Sequence, residues 1–530
     1  MKKRVLQSFL KKSAALGTPE MVLVDKRVSL ISKMVPYVIV FSLGALYRAI
    51  PEVLIPTYPA GFETITYYAP EINKLKNEGV SLVFKHLTSG LTFYLLVWII
   101  VLLANAPTFT LLKVMGPILY GFLATSYMFF LRSGLNFDEQ TSLTATLICI
   151  SLPICLRIGW DRFINMSGLI PMFFALGLLG REQKANKHWH VIASLSLLAV
   201  LSRELIASVV LTALTGYFIF VREDRKRLLP ILMSCYGVFF IMILPYFGIR
   251  LFPQNRQFII LPDLAKEACP LPIMINYLPE GFSLNGYAEL CKRIFTLFIY
   301  AYLPIAPFLV KGVFRSQLID LMVAWLLIGG IINPLILPFV SVPYFQRWQT
   351  LLVFPFCAYL ANSLIKLSAG IKALKNLKVK LSIAIPYIML GILYSSGLIS
   401  WGSEWAPPNL VRSSVEVSQI EDCIACIEWL NNNAVSGACL IIEERFRGWV
   451  LTYMKREDIK IIMYYEAPGP RQEVSGPDGF KLAYETAISI GFRVVYFIWY
   501  SETYIEAFDE VYSHGSIAVY QAITNSDGGH

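Results

Sequence analysis

Charge is scarce in this sequence. Asp, Glu, Lys and Arg make up 15% of its 530 residues, where an ordinary soluble domain carries about 25%. That shortage excludes a chain built only of soluble domains, although the length alone would allow about three of them. Glycine-rich phosphate loops are missing as well. There is no GxGxxG and no P-loop, so no nucleotide site is expected. Nine cysteines yield a single CxxC, Cys423 and Cys426, with no second pair or nearby His to complete a zinc site. Both fall on a predicted amphipathic helix, where packing accounts for them. No internal repeat is visible, which argues against an inverted-repeat transporter. No cleavable signal peptide is expected, because the first apolar run starts near Val28 and is long enough to stay as an anchor.

What the chain has in quantity is apolar sequence. Hydrophobic residues make up 56% and the mean hydropathy is +0.58. Apolar runs recur at roughly the 20 helical residues that cross about 30 Å of hydrocarbon. Net charge is +10 and the pI is near 9.0, but the basic residues concentrate in short loops between apolar runs. That is the positive-inside pattern of a membrane protein. No RNA- or DNA-binding motif accompanies it, so no nucleic-acid partner is expected.

The expected fold is an α-helical polytopic membrane protein followed by a soluble α/β domain. Residues 1–28 form a basic cytoplasmic N-terminus and 29–401 the membrane domain. Residues 402–530 form the soluble domain, outside the cell membrane. Crossings are predicted at 29–50, 88–104, 113–131, three times within 143–221, then at 228–251, 294–310, 318–339, 345–365 and 381–400. That gives about eleven transmembrane helices. An outer loop follows the first of them, and the turn RSGLNFDEQ (132–140) is expected on the same outer side. In the last region ACLIIEE, DIKIIMYY, FRVVYFIWY and SIAVYQAI read as buried strands. The segments between them read as helices, which implies a layered α/β domain.

Several polar residues stand where chemistry could use them. Glu63 lies in a Gly/Pro-shaped turn just beyond the first membrane helix. A carboxylate there could accept the proton of an acceptor hydroxyl, or be an ordinary solvated acid. Asp138 and Glu139 could position an acceptor or a metal ion, or Asp138 could simply cap the next helix. Arg157, Asp161, Arg162 and Asn165 form a polar cluster inside an apolar stretch. Arg203-Glu204 interrupts another, and Arg347 starts a late helix. Arginines at membrane helix ends can grip a phosphate headgroup or snorkel to the interface. Acids outside and arginines at helix ends together suit a lipid-phosphate substrate.

Four segments carry a family resemblance. They are Pro59 to Tyr68, of the form P-x-G-[FY]-[DE]-T-x-x-Y-Y, then LRIGWDRFINMSGL (156–169), LSRELIASV (201–209) and YFQRWQTLLVFPFCAYLA (344–361). In order and spacing they resemble archaeal membrane glycosyltransferases of the GT-C fold, the superfamily of the oligosaccharyltransferase catalytic subunit and the protein mannosyltransferases. The resemblance implies transfer of a sugar from a polyprenyl-phosphate (dolichyl-phosphate-type) carrier to a glycan, lipid or protein acceptor on the outer face, with inversion. Glu63 takes the place of the family's usual Asp as general base or acceptor-positioning acid. Asp138 and Glu139 match its second acidic turn, and Arg347 is expected near the carrier phosphate. Arg203, where related enzymes often carry His, is expected as a further contact to the carrier phosphate. A divalent cation, Mg or Mn, is needed in some branches and not in others. The WWDYG motif of oligosaccharyltransferases is absent, the comparable turn reading Glu443-Glu444-Arg445-Phe446-Arg447-Gly448-Trp449. Two other readings stay open: a flippase for a lipid-linked glycan, and a non-catalytic scaffold with an external binding domain.

Overall fold

The computed structural model describes residues 19–523 apart from 88–89, 105, 182–187, 221–224, 245–257, 261–283, 313–316, 337–344, 371–375, 402–408, 465–476, 502 and 506. The chain is a multi-pass helical membrane protein with a C-terminal α/β domain. Eight helices among the described residues are long and apolar enough to cross a membrane. They are Lys33–Leu54, Thr108–Gly134, Phe163–Gly180, Arg225–Ile243, Cys291–Leu309, Gln317–Leu335, Phe345–Gly370 and Leu377–Ser395. A ninth candidate is the pair Glu139–Ser151 and Pro153–Asp161, bent by 67°. The bend has a local cause: Leu152 is extended at ψ 134° and Pro153 opens the second helix, a first-turn position that proline suits.

Side-chain contacts fix which end of the bundle each turn occupies. The first helix and Thr108–Gly134 run antiparallel. The Lys113 ammonium bonds the Ile55 carbonyl, a Cβ on Gly116 would meet Arg48, and the Arg132 guanidinium lies 5.8 Å from the Tyr37 ring centre. Glu63 therefore follows one end of the first helix, and Asp138-Glu139 lie near its other end. This corrects the expectation that the two acidic turns share a side.

The error traces to 88–104. The helix there spans Leu91–Ala104. Both ends are tied to the loop after the first helix. The Tyr94 ring stacks 3.7 Å from His86, and just beyond the other end the Lys76 Nζ bonds the Ala106 carbonyl at 2.7 Å. A second difference offsets the first. The apolar run 191–221 is two helices, Trp189–Val200 and Glu204–Phe220, broken where Ser202 and Arg203 stand.

The C-terminal domain holds a six-stranded sheet in the order β1-β3-β2-β4-β6-β5. Its strands are β1 Phe258–Ile260, β2 Cys439–Glu443, β3 Lys460–Tyr464, β4 Val494–Tyr500, β5 Asp509–His514 and β6 Ile517–Ile523. Pairings from β1 to β4 are parallel, and β4–β6 and β6–β5 antiparallel. The four expected strands are present. β5 is a mostly exposed edge strand whose apolar signal is weak. β1 falls in the sequence between the helices Arg225–Ile243 and Leu284–Tyr302, so the sheet recruits a strand from within the membrane part of the chain. Cys423 and Cys426 are buried against this sheet as free thiols, as packing predicts.

Candidate active site

The loop carrying Glu63 is held by buried charge. Arg48 and Glu52, one turn apart on the first helix, form an ion pair at 2.5 Å with 1% and 5% of their side chains exposed. Arg48 also donates to the carbonyls of Gly159 and Ala60, each at 2.9 Å, and Glu52 accepts from the Ala60 amide at 3.1 Å. One pair thus ties the loop to the end of Pro153–Asp161. Gly61 follows with φ +112°, a left-handed conformation glycine adopts without strain. A Cβ there would press on Thr64, Trp160 and Asp161 at 2.6–2.9 Å. The Gly61 amide bonds the Arg412 carbonyl at 2.7 Å, so the chain leading into the C-terminal domain lies beside the loop.

These restraints set Glu63 among arginines. Its Oε1 pairs with Arg347 at 3.0 Å, its Oε2 accepts from the Tyr68 hydroxyl at 3.4 Å, and its amide donates to Asp161 Oδ2 at 3.3 Å. Asp161 is in turn paired with Arg157, whose guanidinium sits 4.8 Å from the Trp160 ring centre. Arg162 is buried and reaches Thr350 Oγ1 at 3.4 Å. Its Nε and the Asn165 Oδ1 are buried without a hydrogen bond among the described residues. Arg203 lies near Glu204 at 3.6 Å and within electrostatic reach of Glu63. Burial pushes the Glu63 carboxyl up, but Arg347, Arg203, Arg162 and Arg157 together hold it below the usual carboxylate range. Four arginines thus surround Glu63 and Asp161, with Glu204 beside Arg203.

Seven of the residues expected to form the site therefore come together: Glu63, Arg157, Asp161, Arg162, Asn165, Arg203 and Arg347. Asp138 and Glu139 do not. Asp138 caps the helix Glu139–Ser151, accepting from the Thr141 amide at 2.9 Å and hydroxyl at 2.6 Å, and Lys380 stands 3.5 Å away. Glu139 pairs with Arg132 at 2.7 Å. They cannot position an acceptor or a metal ion at Glu63, because the length of the bundle separates them.

The C-terminal domain roofs the site through Glu444–Tyr453, a helix the sequence reading did not connect to it. Glu444 accepts from the Tyr67 hydroxyl, and the Arg447 guanidinium lies 4.5 Å from the Tyr67 ring centre. The Trp449 indole donates to Ser414 Oγ at 2.9 Å and meets Tyr58 edge-on at 5.2 Å. The sequence marked this turn only as the place where the WWDYG motif is missing. A divalent cation does not fit the donor set. Among the described residues no three His, Cys, Asp or Glu converge on a metal position, and Glu63 and Asp161 are already paired with arginines.

No protein-family model matches the chain, and no curated protein matches it. Two crystal structures of ArnT from Cupriavidus metallidurans are similar over nearly the whole length. The apo structure is 10% identical, with 95% of this chain and 98% of that one covered at a TM-score of 0.49. The structure bound to undecaprenyl phosphate is 9% identical, with 97% and 100% covered at a TM-score of 0.48. Likeness at this level decides neither family nor chemistry.

Proposed function

We propose that this protein is a GT-C-type glycosyltransferase. It moves a sugar from a polyprenyl-phosphate carrier to a glycan, lipid or protein acceptor, with inversion. The basic N-terminus argues that the reaction takes place at the outer face of the cell membrane. The observation that carries the reading is Glu63, ionised and tied to Arg347 among four arginines under the C-terminal domain.

The chemistry follows from charge. As the bond between the anomeric carbon and the phosphate oxygen breaks, the departing phosphate gains negative charge. Guanidinium groups held beside it stabilise that charge, and more so in a site with little water. Arg347, Arg203, Arg162 and Arg157 are the groups available. Glu63 orients the acceptor hydroxyl for in-line attack and fixes Arg347, so that both reacting partners are aligned before the reaction starts. No metal enters this account.

Transfer of label from radiolabelled polyprenyl-phosphate sugars, by purified protein in lipid with membrane extract as acceptor, tests the reading. Glu63→Gln should lower transfer by about 10²-fold or more while the protein stays folded. Full activity in that variant removes Glu63 from the mechanism. Binding of the carrier without transfer by the wild type favours the flippase, and no binding at all favours the scaffold.

A further inference from the structure

Glu444 stands within electrostatic reach of Glu63, brought there by the C-terminal domain. It opens the helix Glu444–Tyr453, which packs directly on the loop: a Cβ on Gly448 would lie 2.0 Å from the Ile65 carbonyl oxygen. The two carboxylates differ in what occupies them. Both Glu63 oxygens are engaged, by Arg347 and Tyr68. Glu444 accepts from Tyr67 at Oε1, and its Oε2 makes no hydrogen bond to any described residue.

The charged and titratable groups around Glu444 are Arg447 on its own helix and Glu63 and Tyr67 on the loop. The helix Ala69–Glu78 packed alongside carries Glu71, already held by Lys74 at 2.9 Å and His86 at 3.4 Å. On the other side Ile420–Asn433 carries Glu421 and Glu428, which act on Tyr58 and Tyr453. Glu443 is paired with Arg445 at 2.6 Å. Burial pushes Glu444 up to about 7, with Arg447 opposing the shift and Glu63 adding to it. A base tuned near the working pH transfers protons best.

Building on the sugar-transfer reading, we propose that Glu444 is the proton acceptor for the acceptor hydroxyl, with Glu63 and Arg347 aligning the reacting groups. The O–H bond breaks and its proton goes to Glu444 Oε2. The oxygen lone pair forms the bond to the anomeric carbon. The electron pair of the breaking carbon–oxygen bond leaves with the polyprenyl phosphate, toward the arginines. The site is complete only when the C-terminal domain is docked on the loop.

The test is the pH profile of transfer from 5 to 9 by the full chain in lipid. Wild type, Glu444→Gln, Glu444→Asp and Tyr67→Phe are compared, with donor binding and the thermal transition measured for each. Wild-type kcat/KM should rise with pH through about 7, because the base acts when ionised. Glu444→Gln should lower kcat about 10²–10⁴-fold, leave donor binding unchanged and abolish the rising limb. Glu444→Asp should recover part of the rate and keep the limb. Tyr67→Phe should move the limb to higher pH, since the ionised carboxylate loses a donor.

A Glu444→Gln enzyme with full rate and an intact limb overturns the assignment and leaves the sugar-transfer reading standing. Loss of donor binding or of the thermal transition in Glu444→Gln, with an unmoved limb in Tyr67→Phe, makes the role structural and also overturns it. A wild type that transfers from no donor overturns the sugar-transfer reading and this inference with it.

Discussion

Glu63 and Asp138 are both acids in turns beside membrane helices, and the fold uses them in opposite ways. Asp138 is 52% exposed and accepts from the amide and hydroxyl of Thr141, three residues along the chain. Glu63 is 15% exposed and is held by Arg347, 284 residues away. Burial works against ionisation at both, and both end below the usual carboxylate range. At Asp138 the bonds to Thr141 and the nearby Lys380 outweigh burial. At Glu63 four arginines from distant segments do so. An acid used by its own helix cap is spent locally. An acid surrounded by remote cations marks a site where another anion can be received.

Substitutions at the two ends of the bundle should separate these roles. The largest effect is expected at Arg347. Arg347→Ala should lower transfer about 10²–10³-fold by removing a stabiliser of the departing phosphate. Arg347→Lys should restore only part of it, because an ammonium cannot make a bidentate contact; single-turnover rates with saturating donor check this. An intermediate effect is expected at the roof. Gly448→Ala places a methyl against the Ile65 carbonyl and should cost about 1–3 kcal/mol of stability. It should also raise protease sensitivity at the junction of the two domains. The smallest effect belongs to the far turn. Asp138→Ala should cost about 0.5–2 kcal/mol through the lost cap, read from thermal unfolding, with transfer unchanged.

Much of the site was legible because polar residues stand out in apolar sequence. Arg157, Asp161, Arg162 and Asn165 interrupt a membrane run, and placing charge there is costly enough to imply a partner. The same reasoning would have found Arg48 and Glu52, an i, i+4 pair inside the first helix whose bonds to the loop no local pattern reveals. Sidedness was harder. The 88–104 run has the composition of a membrane span, yet both its ends pack on the loop after the first helix, and at Ser202-Arg203 the sequence does not decide which breaks are turns. Those two differences cancel along the chain. Asp138 was thus assigned to the wrong end, while the C-terminal domain lies on the Glu63 side as expected. β1 was invisible for another reason: a short apolar stretch has no strand partner until the chain returns some two hundred residues later. Glu444 could be read only as the place where a known motif is missing. Its position over Tyr67 depends on the domain docking.

The comparison of the two acids is also the most direct test of the account. Glu63→Gln and Asp138→Asn, purified and assayed together with one polyprenyl-phosphate sugar donor, should diverge. Transfer should fall about 10²-fold or more in the first and stay at the wild-type rate in the second. Equal loss in both, or none in Glu63→Gln, contradicts a single site beneath the C-terminal domain.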